Sequence, residues 1–350
     1  MAQPIGNPPQ TVSWSGHGVG LDTVAEQLHR LSRPGPTACC VNVLVGLGSD
    51  TDPQPVSSLL TALAPGHPLR AVLVVDRGEV SGIDAEVVCE RSPRGPIQRQ
   101  QVLLRVSSRA GRRLPSLAAR LLAAEVPTYL WWPGGGPSLD LDETRRDVDT
   151  CDALIVDSAL RDDHPALVAA GERGRASVAD LLWPRLRPWR ESLATFFAPP
   201  GRRAYLAGVE RLELETGPHP EGTRAAALLL GWMAARLDQR LDAAWTEGDR
   251  ISARYRHGGG RVLVRILPGE STGELRALSL RARDFELTLR HDDGDRARLR
   301  FRIDGTVDQH LFWRPPAPGD QLGELLTDAR RDSVYAGALA QAAMLLQALR

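Results

Sequence analysis

Several short segments carry residue types that could do chemistry. Gly46-Leu47-Gly48-Ser49-Asp50 closes an apolar run, and a glycine-rich turn there could cradle a phosphate at a helix N-terminus. It has the GxG of a dinucleotide fingerprint but lacks the third glycine, and Asp50, Asp52 and Pro53 follow, so a plain strand-to-helix turn stands beside the phosphate reading. Gly134-Gly135-Gly136 could form a nest of amides for an anion, or only a pliable exit from a strand. His67-Pro68-Leu69-Arg70 sets an imidazole and a guanidinium at the entrance to another strand, because proline pushes His67 out of helical geometry. If these segments converged, Gly46, Gly48, Ser49, His67, Arg70, Gly134, Gly135 and Gly136 would form a site for a sugar phosphate or nucleotide.

Other constellations are weaker. Asp157-Ser158 with His164 makes a Ser-His-Asp set on paper, but no GxSxG elbow accompanies it. Asp140, Asp142 and Glu143 suit the first turn of a helix, where the helix dipole favours carboxylates. Asp292, Asp293 and Asp295 around Gly294 are too short for an EF-hand loop and read as a hairpin turn. Cys39, Cys40, Cys89 and Cys151 include no CxxC pair and no metal spacing, and the first three lie in apolar contexts that suit buried, reduced thiols. No catalytic residue and no metal ligand is assigned.

The tryptophans are more distinctive. Trp131 and Trp132 end an apolar run, and Pro133 and the three glycines follow at once. Successive strand residues point to opposite faces. One indole is therefore expected in the core and the other partly accessible at a rim, at the boundary between domains. Downstream, Trp183, Arg187, Trp189 and Arg190 crowd one segment, and Trp189, Leu193, Phe196 and Phe197 fall on one helical face. Trp131, Trp132, Pro133, Trp183, Arg187, Trp189 and Arg190 are the candidates for a partner-binding or inter-domain surface, because tryptophan and arginine dominate interface hot spots.

The elements that must position these residues alternate in the first half. Apolar runs at Ala38–Leu47, Leu69–Val75, Pro127–Trp132 and Ala153–Asp157 read as strands. Helical stretches at Val19–Arg33, Val56–Ala64 and Leu114–Glu125 lie between them, and Ile83–Glu90 and Gln101–Val106 form an antiparallel pair. The fold class expected is an α/β N-terminal domain, a mostly parallel or mixed sheet with helices on both faces, followed by an α+β C-terminal domain with an antiparallel sheet. The boundaries expected are a flexible arm over 1–18, the first domain over 19–162 and the second over 163–350. The second is read as helical over 177–241, an antiparallel sheet over 251–313 and a terminal helix over 320–349.

Composition narrows the function classes. The 350 residues carry 43 basic and 43 acidic side chains, so no electrostatic footprint for nucleic acid or an anionic membrane exists. Every basic residue is arginine, which excludes Schiff-base lysine chemistry and a Walker-type phosphate lysine. The first residues lack the basic and apolar regions of a signal peptide, and the longest apolar stretch, Ala225–Ala235, is too short to span a bilayer. A cytoplasmic protein is expected by elimination.

Five segments then occur in a telling order: HPLRAVLVV at 67–75, EVPTYLWWPGGGP at 125–137, CDALIVDSA at 151–159, DLLWPRLRPWRESLATFF at 180–197 and LLLGWMAARL at 228–237. In these the chain resembles the OpcA family, the glucose-6-phosphate dehydrogenase assembly proteins of actinobacteria and cyanobacteria. The resemblance implies a non-catalytic partner that binds glucose-6-phosphate dehydrogenase and promotes its assembly and activity. It thereby implies support for the oxidative pentose phosphate pathway and NADPH supply, with no cofactor. It brings no catalytic residue set. The thioredoxin-linked control of cyanobacterial members uses cysteines late in the chain, whereas no cysteine follows Cys151 here.

Overall fold

The structure, a computed structural model, describes residues 10–33, 38–77, 82–91, 96–107, 114–257, 260–270, 274–292, 294–303, 305–314, 316–327 and 331–350. The chain forms two compact units that interleave in sequence: one holds 1–157, 170–181 and 317–330, the other 158–169, 182–316 and 331–350.

The first unit contains β1 (Gln10–Val19), α1 (Leu21–Leu31), β2 (Val41–Leu47), α2 (Gln54–Leu63), β3 (Leu69–Asp76), β4 (Ile83–Arg91), β5 (Ile97–Val106), α3 (Leu114–Ala118), β6 (Thr128–Trp131), α4 (Asp142–Val148), β7 (Ala153–Val156) and β8 (Ser177–Asp180). Helix α5 (His164–Arg173) crosses from the second unit into this one. The strands form one sheet in the order β1-β4-β5-β3-β2-β6-β7-β8. The six from β5 to β8 are parallel, while β4 pairs antiparallel with β5 and with β1. Strands β2, β3 and β7 are apolar almost throughout because both faces of the sheet are covered. From β2 the chain winds to β3 on one side and later to β6 on the other. The order therefore reverses between β2 and β6, the topological switch point at which doubly wound sheets open a crevice.

The second unit continues with α6 (Leu182–Arg185), α7 (Arg187–Phe197), α8 (Pro200–Arg203), β9 (Arg211–Thr216), α9 (Pro220–Arg236), β10 (Arg240–Glu247), β11 (Arg250–His257), β12 (Gly260–Pro268), β13 (Leu275–Ala282), β14 (Phe285–His291), β15 (Arg296–Arg302) and β16 (Thr306–Phe312). Its sheet runs β10-β11-β12-β9-β13-β14-β15-β16, antiparallel except where β12 meets β9. Alternation is strict: in β15, Ala297, Leu299 and Phe301 are buried while the arginines between them are exposed. The apolar face receives α7, whose Phe196 ring lies 5.0 Å from Phe301 and 6.1 Å from Phe285.

After α10 (Pro318–Thr327), in the first unit, the chain ends in α11 (Ser333–Ala348), in the second. Helices α9 and α11 cross so closely that a Cβ at Gly231 would lie 2.2 Å from the Ala338 carbonyl oxygen, so only glycine fits there.

Several sequence expectations change. Residues 10–18, read as part of a mobile arm, belong to β1, which the β4 backbone recruits as an edge strand; residues 1–9 lie outside the described set. The stretch 177–241 is not uniformly helical, since β8 and β9 fall within it and β10 begins at Arg240. The terminal helix is two helices, because Asp332 caps a fresh start: its carboxylate accepts from the amides of Val334 (2.8 Å) and Tyr335 (3.0 Å). The hairpin between β14 and β15 forms as expected, although Asp293 is outside the described residues. Among the described residues no helix is long and apolar enough to cross a membrane.

The helix expected over Leu114–Glu125 stops at Ala118. Asn42, fully buried on β2, diverts the chain beyond it. Its side chain donates to the carbonyls of Ala123 (2.9 Å) and Val126 (3.1 Å) and accepts from the Ala123 amide (2.9 Å). One amide side chain thus clamps the turn that feeds β6. Asn42→Leu leaves those three backbone groups without partners, which costs about 3–9 kcal/mol at about 1–3 kcal/mol per orphaned group. Urea unfolding of the purified variant checks this, and a loss below about 1 kcal/mol would show that the clamp is dispensable.

Candidate functional site

The switch point places Gly46 at the end of β2 beside Trp131 and Trp132 at the end of β6. Both indoles are buried, Trp131 at 5% exposure and Trp132 at 7%. The expectation of one accessible indole at a domain boundary is therefore corrected. They do part to opposite faces. Trp131 joins Val43, Val45, Tyr129 and Leu60 in the core cluster on one face, whereas Trp132 lies over Gly46 and against Leu114 on the other. Neither is exposed because the sheet is covered on both sides.

The glycines are the seat of Trp132. A Cβ on Gly46 would lie 2.5 Å from the indole Cδ1, and a Cβ on Gly136 would lie 2.4 Å from Trp132 Cβ. Gly134, Gly135 and Gly136 have φ of 77°, 99° and 68°, a left-handed run that L side chains rarely adopt. This run turns the chain back over the ring through a 3₁₀ turn at Pro133–Gly135.

Beside the indole lies a cleft of about 670 Å³, lined by Gly46, Gly48, Trp132, Pro133 and Gly136 among others. Its described lining carries the carboxylates of Asp76, Glu143 and Asp147 and no guanidinium. The α2 N-terminus already faces a carboxylate, since Asp52 Oδ1 accepts from the Gln54 amide at 3.0 Å. Phosphate binding at such a position needs free amides and positive potential. This site offers carboxylates and an indole instead. Gly48 and Ser49 sit on the exposed turn, where the Gly48 carbonyl accepts from Thr51.

His67 and Arg70 do not join the glycines. Strands β2 and β3 are parallel, with Arg70 opposite Asn42 and Val74 opposite Gly46. Four residues at about 3.3 Å each put the two ends about 13 Å apart along the sheet. Arg70 instead donates to Gln100 Oε1 (2.7 Å) and the Leu121 carbonyl (3.3 Å), and burial lowers its pKa. His67 packs by Gly323 of α10. The convergence expected of Gly46, His67, Arg70 and Gly134–Gly136 therefore does not occur.

The second tryptophan segment is also internal. Trp183 and Trp189 are buried. Trp183 donates through Nε1 to Asp332 at 2.9 Å, the Arg190 guanidinium stacks 3.5 Å above its ring, and Tyr335 meets it edge-on. Burial first, and the Arg187 charge second, bring Arg190 down to about 10, so it remains a cation at neutral pH. Trp189 meets Trp313 edge-on at 4.6 Å. Asp332 thus both starts α11 and anchors α6. Nothing in the composition marked it, but an aspartate just before a helical run is an N-cap signal.

Ser158 and His164 do meet, yet it is the Ser158 backbone that bonds the imidazole. A serine nucleophile would need its Oγ there. Burial first, and the nearby Arg224 charge second, push His164 down to about 4. Among the cysteines, Cys89 and Cys151 are buried, and burial raises both, Cys151 to about 12. Cys40 is exposed, which corrects its reading as a buried thiol. Among the described residues no group of three or more His, Cys, Asp or Glu side chains is arranged to hold a metal ion.

Two outcomes are expected. Gly46→Ala, which forces a methyl into the indole, destabilises the protein by about 1–3 kcal/mol, and Trp132→Ala by about 3–5 kcal/mol. Thermal or urea unfolding measures both, and a neutral Gly46→Ala would show that Trp132 is not seated there. The folded His164 stays neutral down to about pH 4, whereas an unfolded histidine protonates near 6.5. Its contribution is complete above pH 6.5 and is lost as pH falls toward 4, a swing of roughly 3 kcal/mol. Urea midpoints between about pH 7.5 and 5 should therefore fall more steeply for the wild type than for His164→Gln; parallel slopes would refute this.

Residues 60–172 match the family described as glucose-6-phosphate dehydrogenase subunit N-terminal domain, and residues 176–339 match its C-terminal counterpart. An OpcA protein of Synechocystis sp. is 29% identical over 58% of this chain and 42% of its own length. Another, of Nostoc punctiforme, is 32% identical over 46% of this chain and 36% of its own. Their names assign them provisionally to the OxPP cycle, and this chain spans about half or less of their length. In fold the chain is similar to KijD10, a 3-ketoreductase from Actinomadura kijaniata in complex with NADP and TDP-benzene (TM-score 0.52, 13% identity, 90% of this chain and 97% of that one). It is also similar to an oxidoreductase from Sinorhizobium meliloti (TM-score 0.53, 11% identity, 89% and 97%). At such identities the likeness is one of fold alone. With both halves matched in order, the chain belongs to the OpcA family of glucose-6-phosphate dehydrogenase assembly proteins.

Proposed function

We propose that this chain is a non-catalytic assembly factor and allosteric activator of glucose-6-phosphate dehydrogenase, acting in the cytoplasm and supporting the oxidative pentose phosphate pathway and NADPH supply. The observation that carries the reading is the ordered match of both halves to a dehydrogenase subunit family. The switch point supports it from the chemical side. An indole and three carboxylates stand where a dinucleotide-binding sheet would present bare glycines and a free helix N-terminus. Activation then requires that the chain bind the active oligomer or conformation of the enzyme more tightly than the inactive one, since only differential affinity moves an equilibrium. A coupling of about 1–3 kcal/mol corresponds to about 5- to 150-fold.

The test uses this protein and the dehydrogenase of the same organism. Rate and sedimentation are measured for the enzyme alone and with the chain in excess. A heavier complex and a rate raised at least about fivefold are expected. An unchanged rate with no co-sedimentation would overturn the proposal. The rival reading, a sugar-phosphate- or nucleotide-binding sensor or enzyme using the strand ends of the N-terminal sheet, is opposed by the acidic cleft. Glucose 6-phosphate, 6-phosphogluconate and NADP are accordingly expected to leave the melting temperature of the isolated chain unchanged. A ligand at about 100 times its Kd would add about 2.7 kcal/mol, and a rise of that size would favour the rival.

A further inference from the structure

We propose that the open face of the second unit's sheet is the surface that docks the partner, and that the partner presents carboxylates to it. The proposal rests on the assembly-factor reading for the partner's identity and on the sheet itself for the surface.

The face is built by alternation. With the apolar side chains of β9, β11 and β15 turned to the core, most of their opposite positions carry charge. The carboxylates there are shared. Asp242 serves Arg254 and Arg256, Glu213 serves Arg265 and Arg281, and Glu286 serves Arg281 and Arg302. Shared acids leave guanidinium donors over, on a chain whose overall charge is zero. Strand β15 contributes arginine at every outward position, 296, 298, 300 and 302.

Several contacts break the ordinary rule for sheets: Arg256 stands opposite both Arg240 and Arg261, and Arg211 opposite Arg281. Arg290 on β14 stands directly opposite Arg298 on β15. Like charges in directly opposed positions destabilise a sheet. Their pairings to Glu215 (2.8 Å) and Asp292 (3.5 Å) are solvent-exposed and therefore weak. They border a depression of about 380 Å³ that Glu286, Thr288, Arg300, Arg302 and Thr306 complete, four arginines against one carboxylate. A carboxylate entering between Arg290 and Arg298 would relieve the repulsion that the free chain carries.

The rest of the face has interface composition. Phe312 on the β16 edge, opposite Arg296, is 83% exposed. Trp245 on the β10 edge lies opposite Ser252, on the same side as Arg265. Arginine and aromatic residues are those enriched at interface centres and hot spots. Eight strands about 4.8 Å apart and about seven residues long present on the order of 800 Å². That is about what one partner contributes to a standard stable interface. A second copy of this chain would set one arginine excess against another, which favours an acidic partner.

The experiment uses the full chain and the dehydrogenase of the same organism, with affinity measured by interferometry at about 50 and 300 mM NaCl, a range over which exposed charges are progressively screened. Wild-type affinity is expected to fall about tenfold across that range. The double variant Arg290→Gln/Arg298→Gln is expected to bind at least about tenfold more weakly at low salt, yet to melt at the same temperature or higher because a like-charge contact is gone. Arg120→Gln, an exposed change on the first unit, is expected to bind as wild type. Undiminished binding by the double variant overturns this surface and leaves the assembly-factor reading standing. Absence of binding by the wild type overturns both. Loss of self-association in the double variant with dehydrogenase binding intact shows that the occupant is a second copy, and also overturns the proposal.

Discussion

The seating of Trp132 between Gly46 and Gly136 governs the first unit. The doubly wound strand order opens a crevice between β2 and β6 whatever the sequence, because the chain leaves β2 in one direction and returns on its other side. In this chain the crevice is partly filled from within. The indole needs a missing Cβ on β2 and another on the returning loop, and three consecutive left-handed glycines bring that loop back over it. Asn42, four residues before Gly46 on the same strand, holds the turn that delivers β6. Tryptophan, glycines and asparagine thus form one device. It fixes the end of the sheet at the switch point, where doubly wound sheets in general open a ligand crevice.

Charge is partitioned between the two units although the chain as a whole is neutral. The crevice of the first unit is lined by Asp76, Glu143 and Asp147. The open sheet of the second unit is dominated by arginine. A neutral total therefore conceals two surfaces of opposite preference. Composition weighs only the total, from which no electrostatic footprint for a polyanion is expected. It could not reveal local asymmetry, which depends on which strand positions turn outward.

What could be read from the residues follows from the reach of each signal. The β2, β3 and β7 runs and the β14–β15 hairpin were legible because periodicity and turn chemistry are local. The antiparallel pair β4 and β5 was legible because no helical stretch separates them. Strand β1 was not, because its polar, glycine-containing sequence has no strand signal of its own and is ordered by pairing with β4. The truncation of α3 was hidden for the same reason, since it is imposed by Asn42 from 81 residues away. The candidate site was half legible. Gly46 and Gly134–Gly136 do come together, but their purpose is reversed by a side chain two residues upstream of the glycines. Arg70 and His67 failed because a parallel sheet sends the start and the end of its strands to opposite edges, a fact that sequence order alone does not convey.

The two tryptophan segments show why rare side chains are ambiguous evidence for function. Trp131, Trp132, Trp183 and Trp189 are all buried. Each solves a packing problem that a smaller residue would leave open: filling the switch point, stacking under Arg190, meeting Trp313. Their value as family markers has the same origin. A large rigid side chain fitted to glycines or to an N-cap aspartate cannot be exchanged without changing its partners. The residues available to another protein are the commoner ones. Arginines at alternate positions of β15 resemble any solvated strand until Arg290 is found facing Arg298. The docking face proposed for this chain therefore rests less on its rare residues than on a common residue placed where sheet electrostatics disfavours it.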